Sequence, residues 1–250
     1  LSGMRTTAKD MGDYFLVNGS NTYISNGINA GIVIVAAKTD PEKGAKGITC
    51  FLVERGDGVK TSPLKGKLGL RAADTGMVFL DGVRVPKDRV LGKEGEGFRI
   101  ALSTLDTGRI SLAAGAVGLM QRALDLSLAY AGERKQFGKP IAQFQLVQEH
   151  LAAMKLDLEA ARLLTYRAAW KKVKGEPYTL EASLAKLFAS EAANRVAYRA
   201  IQVHGGYGFF EEYEVARLYR DARILTLYEG TSEVQKLIIG AHLTGVRAFA

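Results

Sequence analysis

The sequence predicts an α+β molecule in two parts, an antiparallel β-barrel or sandwich followed by an all-α helix bundle. Residues 13–90 hold short β-branched and aromatic runs separated by turn chemistry. From about Phe98 onward the apolar spacing changes from two to about 3.6 residues, the period of a helix. At 250 residues, the chain is long enough for two domains of ordinary size, each with its own core.

The strand-like runs are YFLV, NTYIS, IVIVAA, ITCFLV and MVFL. Between FLV and TYI, Asn18-Gly19 reads as a two-residue hairpin turn, since a type I′ turn needs positive φ at both positions. Gly-rich KGAKG and KGKLGLRAADTG separate the later strands, and Val85-Pro86 with GKEGEG closes the β part. The expected domains are therefore 1–92 and 93–250. A first helical pattern runs from Phe98 toward Arg134, with small residues in AAGAVG that permit close helix contact. A second runs from about Ala142 to Lys174, and a third from about Thr179 to Val203, stopped by His204-Gly205-Gly206. A shorter helix over 214–222 and a last one over 232–243 complete the set, and long helices with short connections form a bundle.

Composition narrows the function classes. A hydrophobic fraction of 47% and a charged fraction of 24% are those of a globular chain. No apolar run approaches the ~20 residues of a membrane span. The single cysteine, Cys50, and a start with no signal core point to a cytoplasmic, disulfide-free protein with no membrane partner. A net charge of +8 suits a nucleic acid, an anionic lipid or a phosphorylated small molecule. Acids interleave with the cations, as in FEEYEVARLYRDAR, which weighs against a nucleic-acid stripe.

Three segments could carry chemistry. In LYEGTSEVQ, Glu229 stands between two helical patterns, just before Gly230. It is either an acid favouring the positive end of the next helix or a general base on a rigid turn, and Ser232 with Gln235 has capping-box spacing. Arg134-Lys-Gln-Phe137-Gly, with Gln145 beyond it, could hold a pyrophosphate and pack on a base, or simply complement a helix end. Gln202-Val-His-Gly-Gly-Tyr-Gly208 is a helix C-cap or a place where backbone approaches phosphate; it lacks the strand-then-helix context of a dinucleotide or Walker loop. His150, His204 and His242 lie too far apart for a metal-ligand pattern, Cys50 reads as core, and no G-x-S-x-G elbow supports a hydrolase.

Taken together, TYISNG (22–27), RVPKDRVLGKEGEGF (84–98), LDTGRISLAAGAVG (105–118), ERKQFGKPIAQFQLVQ (133–148), QVHGGYGF (202–209), RDARI (220–224) and LYEGTSEVQKL (227–237) resemble the acyl-CoA dehydrogenase family of flavoproteins. The resemblance implies an N-terminal helical domain, a middle β domain and a C-terminal up-down four-helix bundle that mediates tetramerisation as a dimer of dimers. This chain starts inside the β domain, so the N-terminal domain and the early β segment are expected to be missing. The implied reaction is FAD-dependent α,β-dehydrogenation of a fatty or branched-chain acyl-CoA, with an electron-transferring flavoprotein as electron acceptor. Glu229 is then the base that takes the α-proton, and its backbone N–H, with a flavin ribityl hydroxyl, polarises the thioester. Some relatives carry the base immediately before the arginine of the first bundle helix, where this chain has Gly108 before Arg109.

By the same resemblance, Asp106, Thr107, Gly108, Arg109 and Gly230 meet the acyl-CoA, while Tyr23, Ile24 and Ser25 meet the flavin ring. Arg134, Phe137 and Gln145 reach the adenosine and pyrophosphate of FAD from a neighbouring subunit. Gln202, Val203, His204, Gly205 and Gly206, with Thr231, Ser232 and Glu233, complete that site. An acyl-CoA oxidase or flavin monooxygenase, a DNA-associated relative and an inactive fragment stand as alternatives.

Overall fold

The computed structural model describes residues 3–248. The chain divides into two compact units, one ending at Thr104 and one beginning at Leu105.

The first unit is built on a seven-stranded sheet: β1 Thr7–Asp10, β2 Tyr14–Ser25, β3 Ile32–Lys38, β4 Ile48–Glu54, β5 Lys60–Pro63, β6 Thr75–Pro86 and β7 Val90–Leu91. Their order is β5-β6-β2-β1-β3-β4-β7, and every pairing is antiparallel except that of β1 with β3. Period-two alternation places Phe15 and Val17 of β2 opposite Val85 and Val83 of β6, all four buried, and Phe15 meets Phe51 edge-on at 5.0 Å. Cys50 is buried in β4, and burial pushes its thiol up from the ordinary range.

The expected hairpin at Asn18-Gly19 does not form. β2 runs unbroken through both residues, because β1 and β6 pair with it on either side. Asn18 Oδ1 instead accepts the N–H of Gly82, at a shift of register where Gly82 has φ +62°. Gly19 serves close approach: a Cβ there would lie 2.5 Å from Thr6 Oγ1.

The second unit takes most of α1 Gly97–Glu133, then a hairpin of β8 Lys135–Gln136 and β9 Lys139–Pro140, then α2 Gln145–Val173, α3 Thr179–His204, α4 Glu214–Ala222 and α5 Ser232–Thr244. The spacing pattern showed only helix beyond Phe98, so the hairpin is a correction. Its turn is Phe137-Gly138, both at positive φ, and phenylalanine gives none of the signal that asparagine does. Alanines bring the helices close: Ala113, Ala116 and Ala123 of α1, Ala161 and Ala168 of α2, and Ala185, Ala189, Ala192 and Ala193 of α3 are all fully buried. Met120, Met154 and Leu158 fill the larger gaps. Leu156, Leu163, Tyr166, Trp170 and Val173, spaced by threes, fours and sevens along α2, are all exposed.

Candidate functional site

The break between α4 and α5 carries Glu229 and Gly230, both left-handed, with φ +57° and +88°. Left-handed backbone is natural for glycine and uncommon for glutamate, so the surroundings must hold Glu229 there. They do so through its carbonyl groups. Gln235 Nε2 donates to the carbonyls of Glu229 and Gly230, each at 3.1 Å. Lys186 Nζ donates to the Gly230 carbonyl at 2.7 Å, and Arg109 Nε to the Glu229 carbonyl at 3.4 Å. A side chain at 230 would be strained at φ +88°, and its Cβ, within 2.6 Å of Gln235 Nε2, would displace that amide from the turn carbonyls.

Helix α5 starts one residue earlier than the S-x-x-Q spacing implies. Thr231 is the N-cap and accepts the N–H of Val234 at 3.3 Å. Ser232 donates instead to Glu191 at 2.5 Å, and Gln235 is drawn to the two turn carbonyls, so no capping box forms. Thr231→Ala is expected to cost about 1 kcal/mol of stability, read as a lower denaturant midpoint at unchanged m-value.

The Glu229 carboxylate rests against the backbone of α1. A Cβ on Gly108 would stand 2.7 Å from its Oε2, and that oxygen is buried with no hydrogen-bond partner among the described residues. Burial and, second, the nearby Glu229 charge push the Tyr228 hydroxyl above its ordinary range. The neighbours of Gly108 engage the chain itself. Arg109 donates to Asp106 at 2.7 Å, Asp106 also accepts from Thr179 at 2.6 Å, and Thr107 hydrogen-bonds the Tyr178 hydroxyl at 3.1 Å. Both Asp106 oxygens are thereby occupied, and Arg109 is 6% exposed. The arrangement is a carboxylate with one unshared oxygen on an immobilised turn, which is what proton abstraction needs.

A second cluster lies at the far end of α3. A cleft of about 680 Å³ is lined by Arg134 and Gln136, by Val203, His204, Gly205 and Gly206, and by Tyr130, Tyr207 and Tyr213. Tyr130 stacks on His204 with ring centroids 4.3 Å apart, and the Arg134 guanidinium lies over Tyr207 at 5.4 Å. Burial holds the His204 imidazole below its ordinary range. Aromatic planes, a cation with no carboxylate partner among the described residues, and glycine backbone at a helix end suit a planar base carrying phosphates. Phe137, 92% exposed, projects from the hairpin tip against Phe144; Gln145 opens α2, and Gln202 is exposed on the last turn of α3.

The structure does not bring Thr231, Ser232 and Glu233 to this cleft. Ser232 meets α3 at Glu191 while His204 ends that helix, a separation of about 20 Å at the helical rise. In the first unit, Tyr23, Ile24 and Ser25 end β2, where Tyr23 has φ +62° and is exposed. Two side chains that hold the turn from neighbouring helices went unassigned in sequence: Lys186 on α3, and Gln235 on α5 as a carbonyl clamp. The readable signal for Lys186 was a lone cation on an alanine stripe, at the spacing of Ala182, Ala189 and Ala193.

Comparison with known proteins gives concordant matches. The family model described as acyl-CoA dehydrogenase, C-terminal domain, matches residues 95–244, and that of the middle domain matches residues 1–83. The chain is 46% identical over 242 residues to a caffeyl-CoA reductase-Etf complex subunit of Acetobacterium woodii, covering 96% of this chain and 64% of that protein. It is 47% identical to a short-chain-specific acyl-CoA dehydrogenase of Megasphaera elsdenii, over 97% of this chain and 64% of the relative. The structure of butyryl-CoA dehydrogenase from the same organism superimposes with a TM-score of 0.95 at 46% identity, covering 97% of this chain and 64% of that one. The chain thus spans just under two thirds of the length of these relatives.

Proposed function

Because the chain belongs to the acyl-CoA dehydrogenase family, whose members are FAD-dependent flavoproteins, we propose that this protein catalyses α,β-dehydrogenation of an acyl-CoA thioester, with Glu229 as the base. The observation that carries this reading is the unshared, buried Oε2 of Glu229 on a turn immobilised through its carbonyls. Bound FAD supplies the acceptor for the hydride that leaves the β-carbon.

An α-C–H beside a thioester is far too weak an acid for a carboxylate unless the carbonyl is polarised. The Glu229 backbone N–H, on the same turn, donates to the thioester oxygen as Glu229 removes the α-proton. Gly230 lets the substrate approach the backbone, and Gly108 leaves the space in which the carboxylate stands. Asp106, Thr107 and Arg109 form the wall beside the acyl-CoA, and Arg109, bound by Asp106, holds the turn through the Glu229 carbonyl.

The cleft at Arg134, Val203, His204, Gly205 and Gly206 holds the adenosine and pyrophosphate of FAD, and Phe137, Gln145 and Gln202 are assigned to the same part of the cofactor. Tyr23, Ile24 and Ser25 meet the flavin ring, and Thr231, Ser232 and Glu233 meet the cofactor near the catalytic turn. Since one chain keeps that turn about 20 Å from the cleft, a complete cofactor site draws on two copies. The exposed apolar stripe of α2 supports a homo-oligomer, a dimer of dimers. Arg134→Ala is expected to weaken FAD retention about tenfold, read by flavin absorbance after gel filtration; unchanged retention returns Arg134 to a helix-end role.

The substrate class is a short- or medium-chain acyl-CoA, and the electron acceptor is an electron-transferring flavoprotein, in keeping with the Etf-complex relative. The test is the visible spectrum of the FAD-loaded protein during anaerobic addition of butyryl-CoA and octanoyl-CoA. Bleaching of the flavin band supports the reading; bound flavin that neither substrate bleaches contradicts it. The reductase relative favours a second reading, in which protonated Glu229 returns a proton to the α-carbon of an enoyl-CoA. Oxidation of dithionite-reduced flavin by crotonyl-CoA, faster than the forward half-reaction, would select it.

A further inference from the structure

Lys186 is fully buried, on a face of α3 whose other buried members include Ala182, Ala185, Ala189 and Ala193. Enclosing an ammonium is costly, and removing it from water with one acceptor is more so. Its one hydrogen bond among the described residues runs to the Gly230 carbonyl, at 2.7 Å. Gln235 donates to the same carbonyl and to that of Glu229.

We propose that Lys186, with Gln235, is a positioning residue for the base, holding the Glu229-Gly230 turn left-handed so that the Glu229 carboxylate stands over Gly108. The peptide unit is planar, so fixing a carbonyl also fixes the N–H opposite it. Two adjacent carbonyls held from inside therefore set the direction of the Glu229 Cα–Cβ bond together with the N–H groups of Gly230 and Thr231, which share their peptide planes. Neither residue touches substrate; both act through the backbone.

The charges around Lys186 are consistent with this role. Burial and then Arg109, on α1, push its pKa down to about 8, against the opposing pull of Glu191 on α3, Glu229 in the turn and Glu233 on α5. At neutral pH it is an ammonium, and its bond to the carbonyl is charge-assisted.

The inference rests on the proposed role of Glu229, so its test pairs a kinetic with a conformational reading, both on the FAD-loaded protein. Lys186→Met keeps the length of the side chain and removes the donor. It is expected to slow anaerobic flavin reduction by butyryl-CoA about 30-fold, a misplaced base costing up to about 100-fold. FAD content and the KM for butyryl-CoA are expected to change less than about threefold, because the lost interaction is one of alignment. Hydrogen exchange over residues 227–235 is expected to accelerate about tenfold while the rest of α3 keeps its protection. Gln235→Met is expected to do the same more weakly, and the double variant to lose less than the product of the two, since both donors act on one carbonyl.

Wild-type reduction rates together with unchanged exchange over 227–235 in Lys186→Met would overturn the proposal, as would exchange that rises uniformly over the whole bundle. If Lys186→Met does not fold, Lys186→Gln, which retains a donor of shorter reach, is read in the same way. Should the wild-type flavin bleach with neither butyryl-CoA nor octanoyl-CoA, the reaction is wrong, and the exchange result still decides whether Lys186 holds the turn.

Discussion

Glu229→Gln is expected to leave FAD binding nearly unchanged and to slow substrate-driven flavin reduction by about 10³-fold or more, the upper range for loss of a general base. Glutamine matches glutamate in shape, and the turn is held through the carbonyls of Glu229 and Gly230, which the substitution does not alter. Among the described residues, no second carboxylate near the turn is free to take over. Asp106 is engaged by Arg109 and Thr179, Glu191 accepts from Ser232, and Glu233 stands exposed on the first turn of α5. Stopped-flow reduction by butyryl-CoA checks this, and a near-normal rate would remove Glu229 from the role of base.

Gly108→Ala is expected to separate activity from stability. Its Cβ would lie 2.7 Å from Glu229 Oε2, closer than contact allows, and the atom that must yield is the end of a flexible side chain. Folding therefore survives, and alanine in place of glycine inside α1 favours the helix by about 0.5–1 kcal/mol. The carboxylate is displaced on the scale of an ångström, for which about a 100-fold loss of rate is the expected order. The variant should melt at or above the wild-type temperature while reducing its flavin slowly. Undiminished reduction would mean that the carboxylate does not work from the position over Gly108.

The helices were legible because their signals are local. Apolar period and Gly stops gave all five to within about three residues, the usual uncertainty of such ends. What the sequence misled about was set by partners far along the chain. Asn18-Gly19 has the composition of a turn, yet strands on both sides hold it extended, and Asn18 answers Gly82 sixty-four residues away. Phe137-Gly138 makes a turn with a residue that rarely adopts positive φ. At the site, the carboxylate-glycine-threonine string was visible, and its link to α1 came only with the resemblance. The clamp was hidden because Lys186, Gln235 and Arg109 are scattered along the sequence and meet only once α1, α3 and α5 pack together.

The central claim, that Glu229 removes the α-proton, is tested most directly with hydride transfer blocked. The FAD-loaded protein, reduced with dithionite and held anaerobically in D₂O, is incubated with butyryl-CoA, and deuterium at the α-carbon is read by mass spectrometry. Wild type is expected to incorporate α-deuterium steadily, and Glu229→Gln to fall to the rate of the enzyme-free thioester. Equal incorporation by the two proteins would place the base elsewhere and contradict the account.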